Sequence, residues 1–86
     1  MEGRKLVAHN IRRLRVARNV SQERLAFDAG VDRSYLGGIE RGEQNPSVDT
    51  LEKIAAILIV EIRDFFDPID GDENQTGLRP GRKPSR

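Results

Sequence analysis

The stretch that decides the fold is Gln22-Glu23-Arg24-Leu25-Ala26-Phe27-Asp28-Ala29-Gly30-Val31-Asp32-Arg33-Ser34-Tyr35-Leu36-Gly37-Gly38-Ile39. Within it Gly30, Leu36 and Ile39 follow Ala26 by four, ten and thirteen residues. Two helices cross closely only where the first presents a small side chain, and Ala26 supplies one. Gly30 ends that helix, because the tight turn needs a positive φ that glycine adopts without a Cβ penalty. Leu25, Val31, Leu36 and Ile39 then fill the wedge between the helices. The other face of the second helix (Arg33, Ser34, Gly37, Gly38, Arg41) is left polar or bare. A rigidly held, polar, partly basic helix is what the major groove of DNA accepts.

Together with Ser21, Ile39-Glu40-Arg41-Gly42 and Asn45-Pro46-Ser47, these residues resemble the Cro and phage-repressor type of helix-turn-helix, the XRE family. The resemblance runs from about Leu6 to Phe66. It implies an all-α, five-helix, phage-repressor-like domain that binds double-stranded operator DNA as a dimer. Within that class the chain is similar to the small, single-domain controller proteins of restriction–modification systems.

Composition narrows the alternatives. A chain of 86 residues has room for one small domain, which buries only about 60% of its unfolded surface and leaves no volume for a large substrate cavity. There is no cysteine, and the single His9 cannot form a metal cluster alone, so neither a metal nor a cofactor is expected. No nucleophile–base pair or phosphate-cradling glycine loop is visible, which argues against an enzyme. The charged start Met1 to Lys5 leads into no apolar stretch, so no signal peptide is expected. The longest apolar run, Ile54 to Val60, falls far short of the roughly 20 residues of a membrane span. A cytoplasmic protein without membrane contact follows. The net charge of +1 hides an asymmetry. Residues 1–46 hold nine Arg/Lys against six Asp/Glu, residues 47–75 two against eight, and residues 76–86 four against none. A basic front and an acidic back would orient the chain toward a polyanion, although a mixed soluble surface has the same totals.

Periodicity supplies the elements. Val7, Ile11 and Leu14 fall at i, i+4, i+7 and predict a first helix over 4–18, with Asn19 suited to its left-handed stop. Ser21, Asp32 and Ser47 are N-caps for the second, third and fourth helices, and Gly42 ends the third. Arg24 stands where a reciprocal capping box would need Glu or Gln, so none forms at Ser21. Val48, Leu51, Ile54, Ala55 and Leu58 make the buried face of the fourth helix. Ile62, Phe65 and Phe66 predict a short fifth helix stopped by Pro68. The domain is therefore expected over 1–67, with a disordered, basic-ended tail over 68–86.

Two features depart from the family pattern. Ile59 stands where relatives often carry glycine, and a β-branched residue in left-handed φ costs roughly 1–2 kcal/mol, so the fourth helix is expected to run on or turn by another route. Gly37-Gly38 interrupts the recognition helix at about 1 kcal/mol per glycine against alanine. That cost suits close approach to a base step or sugar; the alternative is plain tolerance of small residues on a solvent face.

The resemblance assigns roles. Gln22, at the positive N-terminus of the second helix, would anchor to the DNA backbone rather than being merely exposed. Arg33 and Ser34, at the start of the recognition helix, would reach base edges. Arginine bonds guanine O6 and N7 together, with simple phosphate contact as the alternative. Tyr35 and Arg41 flank that face as phosphate contacts, unless Tyr35 packs on the helix with its hydroxyl outward. Asn45 would touch phosphate from the following loop. Arg15 and Glu40 would form an ion pair linking the first helix to the recognition helix, with Arg15 also near phosphate. As an exposed pair it would contribute about 0–1 kcal/mol and act by orientation; otherwise the two are unrelated charges.

The function implied is a sequence-specific transcriptional regulator on a roughly palindromic operator. Its homodimer would form through Ile59, Val60, Ile62, Phe65 and Phe66, which could equally be ordinary core. The rival is an antitoxin-like module that docks a basic protein partner on the acidic segment Asp64 to Glu73 and binds DNA secondarily. Arg79-Pro80-Gly81-Arg82-Lys83-Pro84 faintly resembles an AT-hook, but Lys83 interrupts the Gly-Arg-Pro core and a purely electrostatic tail is the better reading.

Overall fold

The computed structural model describes residues 2–69. Four α-helices follow one another: α1 (Glu2–Ala17), α2 (Gln22–Ala29), α3 (Arg33–Glu40) and α4 (Val48–Leu58). A 3-10 turn (Ile62–Phe66) closes the order, and among the described residues there is no strand. The expected fifth α-helix is thus corrected to a 3-10 turn. Of the nine residues between the end of α4 and Pro68, the turn at Ile59–Val60 and the extended Glu61 and Asp67 leave five for a helix, a run short enough to favour i→i+3 pairing. A reciprocal capping box fixes its start, Asp64 accepting from the Glu61 amide while the Glu61 side chain accepts from the Asp64 amide. Of the tail expected from Pro68 onward, residues 70–86 lie outside the described residues.

Local chemistry starts three helices. Ser21 Oγ accepts from the Arg24 amide at 2.9 Å, Asp32 Oδ2 from Tyr35 at 3.2 Å, and Ser47 Oγ from Thr50 at 3.1 Å. One motif ends all four. In each, a left-handed residue donates back across the last turn and its successor donates further back still, which is the Schellman pattern. The left-handed residues are Asn19 (φ 60°), Gly30 (φ 70°), Gly42 (φ 76°) and Ile59 (φ 56°). At the last, Ile59 N–H meets Ala56 O at 3.3 Å and Val60 N–H meets Ala55 O at 3.0 Å. The expectation that α4 would avoid a left-handed Ile59 is therefore overturned. The gain is that Val60 and Ile62 turn back onto the core, and the Ile59 side chain is left 75% exposed.

Val7 and Ile11 of α1, Leu25, Ala26 and Ala29 of α2, Leu36 and Ile39 of α3, and Leu51, Ile54, Ala55 and Leu58 of α4 form one core. Leu14 and Val31 are half-buried at its edge. Val48, expected on the buried face of α4, is exposed, because it is the first residue of the helix and lies beyond the edge of the core. Phe65 is wholly buried, a contribution of about 1.5–3 kcal/mol.

Two polar links run through this apolar frame. Asn10, 1% exposed, sits on α1 with its Nδ2 donating to Leu6 O (3.1 Å), Phe65 O (3.0 Å) and Asp67 O (2.8 Å). Arg13 in turn donates to Asn10 Oδ1 through Nε at 3.2 Å and Nη2 at 3.0 Å. This clasp ties the 3-10 turn to α1. The second link ties α1 to α3: Arg15 Nε and Nη2 donate to Glu40 Oε2 (2.7 Å) and Oε1 (3.0 Å), and Arg15 Nη1 donates to Val20 O at 2.9 Å. Far from being exposed, the two side chains retain only 14% and 4% of their accessibility. Desolvation makes the bidentate geometry matter, since a charge stripped of its partner here cannot be rehydrated fully.

Glu40→Ala should cost about 2–3 kcal/mol in urea unfolding, below the roughly 3–5 of a wholly buried pair because Arg15 keeps its bond to Val20. A loss no larger than that of an exposed pair would contradict the burial argument. Ile59→Gly should stabilise the protomer by about 1 kcal/mol, raising Tm by roughly 4–8 °C in dilute solution. An unchanged or lower Tm would mean that the left-handed isoleucine carries no strain.

Candidate nucleic-acid interface

The exposed end of α3 is its first turn. Asp32 caps it, and Arg33 and Ser34 project from it into solvent. Among the described residues Arg33 has neither an ion-pair nor a hydrogen-bond partner. Its five donors are therefore free in the direction the helix faces. Tyr35 is half-buried with its body packed against the core. Arg41 is exposed at the other end of the helix and partly neutralised, its Nε 3.1 Å from Glu43 Oε1. Asn45 stands exposed in the loop before α4.

Gln22 opens α2 and reaches across to α3, where its Nε2 donates to Glu40 Oε1 at 3.1 Å. Arg15, Glu40 and Gln22 thus form one chain of hydrogen bonds across three helices. One amide N–H of Gln22 is consumed in it, while its Oε1 lies over Gly37 of α3. Its orientation is fixed from behind, which removes much of the rotamer entropy a contact at this position would otherwise cost.

The structure corrects the reading of Gly37 and Gly38 as a bare, solvent-facing strip: both are buried. A Cβ on Gly37 would meet Arg41 Nη1 at 3.2 Å and Gln22 Oε1 at 3.4 Å. A Cβ on Gly38 would lie 2.7 Å from Gln44 Cγ and 3.3 Å from its Nε2, the former closer than real Cβ atoms come, so the Gln44 side chain would have to shift. Three long polar side chains therefore converge over the bare middle of α3. The close approach these glycines permit is made, in the free protein, by the chain itself. Two participants were not singled out from sequence. Gln44 carries no local signal, since its position depends on how the chain returns after Gly42. Lys5 is the other: its Cγ would lie 3.8 Å from a side chain on Gly42, so α1 brings the stem of a lysine against the turn that ends α3.

Of the proposed contacts, Gln22, Gly37, Gly38 and Arg41 are brought together, Arg33 and Ser34 lie one turn away on the same helix, and Asn45 follows Gln44 in the adjoining loop. Arg15 lies behind this surface, saturated by Glu40 and Val20. No group of His, Cys, Asp and Glu among the described residues could hold a metal ion, and no helix there is long and apolar enough to cross a membrane.

Known proteins share this fold. The helix-turn-helix family HTH_3 matches residues 11–65. The control protein C.BamHI of Bacillus amyloliquefaciens is 42% identical over 65 residues, which covers 74% of this chain and 80% of its own. The restriction–modification controller protein C.AhdI from Aeromonas hydrophila superposes with a TM-score of 0.74 at 42% identity, over 77% of this chain and 100% of its own. SinR, the master regulator for biofilm formation solved in complex with DNA, gives a TM-score of 0.68 at 40% identity, over 71% and 98%. A family match over more than half the chain, joined to these relatives, settles its membership: the protein belongs to the HTH_3, or XRE-type, helix-turn-helix family.

Proposed function

We propose that this protein is a sequence-specific transcriptional regulator that sets α3 into the major groove of a two-fold-related operator as a homodimer, in the cytoplasm. The observation that carries this reading is the free Arg33 guanidinium on a short helix whose orientation is fixed by buried polar bonds. Kinship with restriction–modification controllers and with a DNA-bound regulator supports it.

Energetics require two copies. Two good base contacts at about 1–3 kcal/mol each discriminate by about 2–6 kcal/mol. Specific recognition generally needs about 4–10 kcal/mol over non-specific binding. One domain reaches at most the lower part of that range; two cover it. The surface for pairing is narrower than the sequence implied. Phe65, expected at the interface, points into the core: the Asn10 clasp draws its backbone onto α1, and on a 3-10 turn its neighbour Phe66 projects about 120° away. Val60 and Ile62 are half-buried against the same core. Of the residues expected at the interface, Phe66 and Ile59 remain outward, 48% and 75% exposed, and are the candidates for pairing. Association here would set two recognition helices about 34 Å apart, one turn of DNA.

Selection from a random double-stranded DNA library should return a two-fold-related site. On that site Arg33→Ala should lose about 1–3 kcal/mol and relax one base position, whereas Gln22→Ala weakens all sequences alike. Equal loss on specific and random DNA for Arg33→Ala would reduce it to a phosphate contact. Phe66→Glu should fold, sediment as a monomer and bind DNA weakly and without cooperativity. A wild-type protein that stays monomeric at high micromolar concentration and binds a single half-site at full strength would refute the dimer.

A further inference from the structure

The middle of α3 is where a recognition helix would ordinarily carry its next side chain toward the bases after Arg33 and Ser34. On a helix advancing about 100° per residue, Gly38 and Arg41 lie on the same side as Arg33, Ser34 and Gly37, within about 140° of arc. Gly38 has nothing to offer from that position. The space is taken by Gln44, whose Cγ, Cδ and Nε2 lie 2.7, 3.5 and 3.3 Å from where a Cβ on Gly38 would stand. Backbone bonds hold it there: Glu43 N–H and Gln44 N–H both reach Gly38 O, at 2.9 and 3.3 Å. Gln44 itself is exposed, and among the described residues its carboxamide makes no hydrogen bond. An amide with a free donor and a free acceptor therefore lies across the DNA-facing side of α3, on a loop locked to that helix.

We propose that Gln44 is a specificity-determining residue that takes the place of the missing side chain at Gly38 and reads an adenine in the major groove. The assignment rests on α3 entering that groove. A carboxamide pairs with adenine by accepting from N6 and donating to N7 together, a contact no other base edge offers in the same register. Gly38 is then required as clearance: a Cβ there would force the Gln44 side chain out of its present position. Its neighbours are consistent with this use, since Arg41 is engaged by Glu43 and Gln22 by Glu40, leaving Gln44 the uncommitted amide of the cluster.

The test is selection from a random double-stranded library with full-length wild type, Gln44→Glu, Gln44→Ala and Gly38→Ala. Wild type should select adenine at one position of each half-site besides the guanine taken by Arg33. Gln44→Glu, an acceptor alone, should move that position to cytosine, whose N4 donates. Gln44→Ala should flatten it about tenfold and leave the other positions unchanged. Gly38→Ala should flatten the same position although alanine favours helix over glycine, so its Tm will not fall in step with the loss. An unchanged preference in both Gln44 variants, or a uniform loss at every position, overturns the assignment while leaving DNA recognition by α3 intact. A wild type that selects no sequence overturns recognition itself, and Gln44 with it.

Discussion

Eight residues with two adjacent glycines cannot sustain a helix alone in water. Isolated helices need about 12–15 residues even in alanine-rich sequences, and each glycine subtracts about 1 kcal/mol. α3 is such a helix, and everything around it supplies what it lacks. Asp32 satisfies its first amides, and the Gly42 turn satisfies its last carbonyls. Leu36 and Ile39 fix its inner face in the core. Glu40 is held by Arg15 and Gln22, so its rotation about its own axis is determined by charge-assisted bonds rather than by apolar packing, which tolerates small rolls. α3 is the least self-sufficient of the four α-helices and is held at both ends and along its inner face.

What can be read from the chain divides by range. Caps at Ser21, Asp32 and Ser47, and the left-handed turns at Asn19 and Gly30, depend on residues three or four apart, and sequence displays them directly. The helical stripes of α1, α2 and α4 are legible for the same reason. Ile59 departs from its local expectation because intrinsic preference argues against left-handed φ, and only the return of Val60 and Ile62 to the core, a tertiary gain, decides the matter. The 3-10 turn is a similar case, its apolar spacing fitting an α-helix that the chain has no length to complete. In the site, Arg33 and Ser34 follow from position on the helix. The cover of Gln44 over Gly38 and the depth of the Arg15–Glu40 pair belong to contacts between elements, which no local pattern encodes.

Buried polarity in this small core has one theme. Asn10, Arg15, Glu40 and Gln22 carry almost all of it, and each bonds to a different element from its own. Apolar side chains make the elements adhere; these amides and charges set their register. A core of Leu and Ile alone would permit several nearly equivalent packings, whereas an unmet carbonyl at Phe65 or Asp67 costs about 1–3 kcal/mol and excludes them.

Asn10 and Arg15 also stand on the same helix, five residues apart, one gripping the turn that carries Phe66 and the other gripping the recognition helix. α1 is thereby a stiff strut about 7.5 Å long between the two grips. Its length cannot change without breaking a helical hydrogen bond. In a paired molecule, an angular error at one Phe66 would be magnified across the full separation of the two reading helices, like play at the pivot of a pair of callipers. The strut removes that play. In such a pair, the accuracy with which two half-sites are measured would therefore lie in the core-facing grips of α1 rather than in either contacting surface.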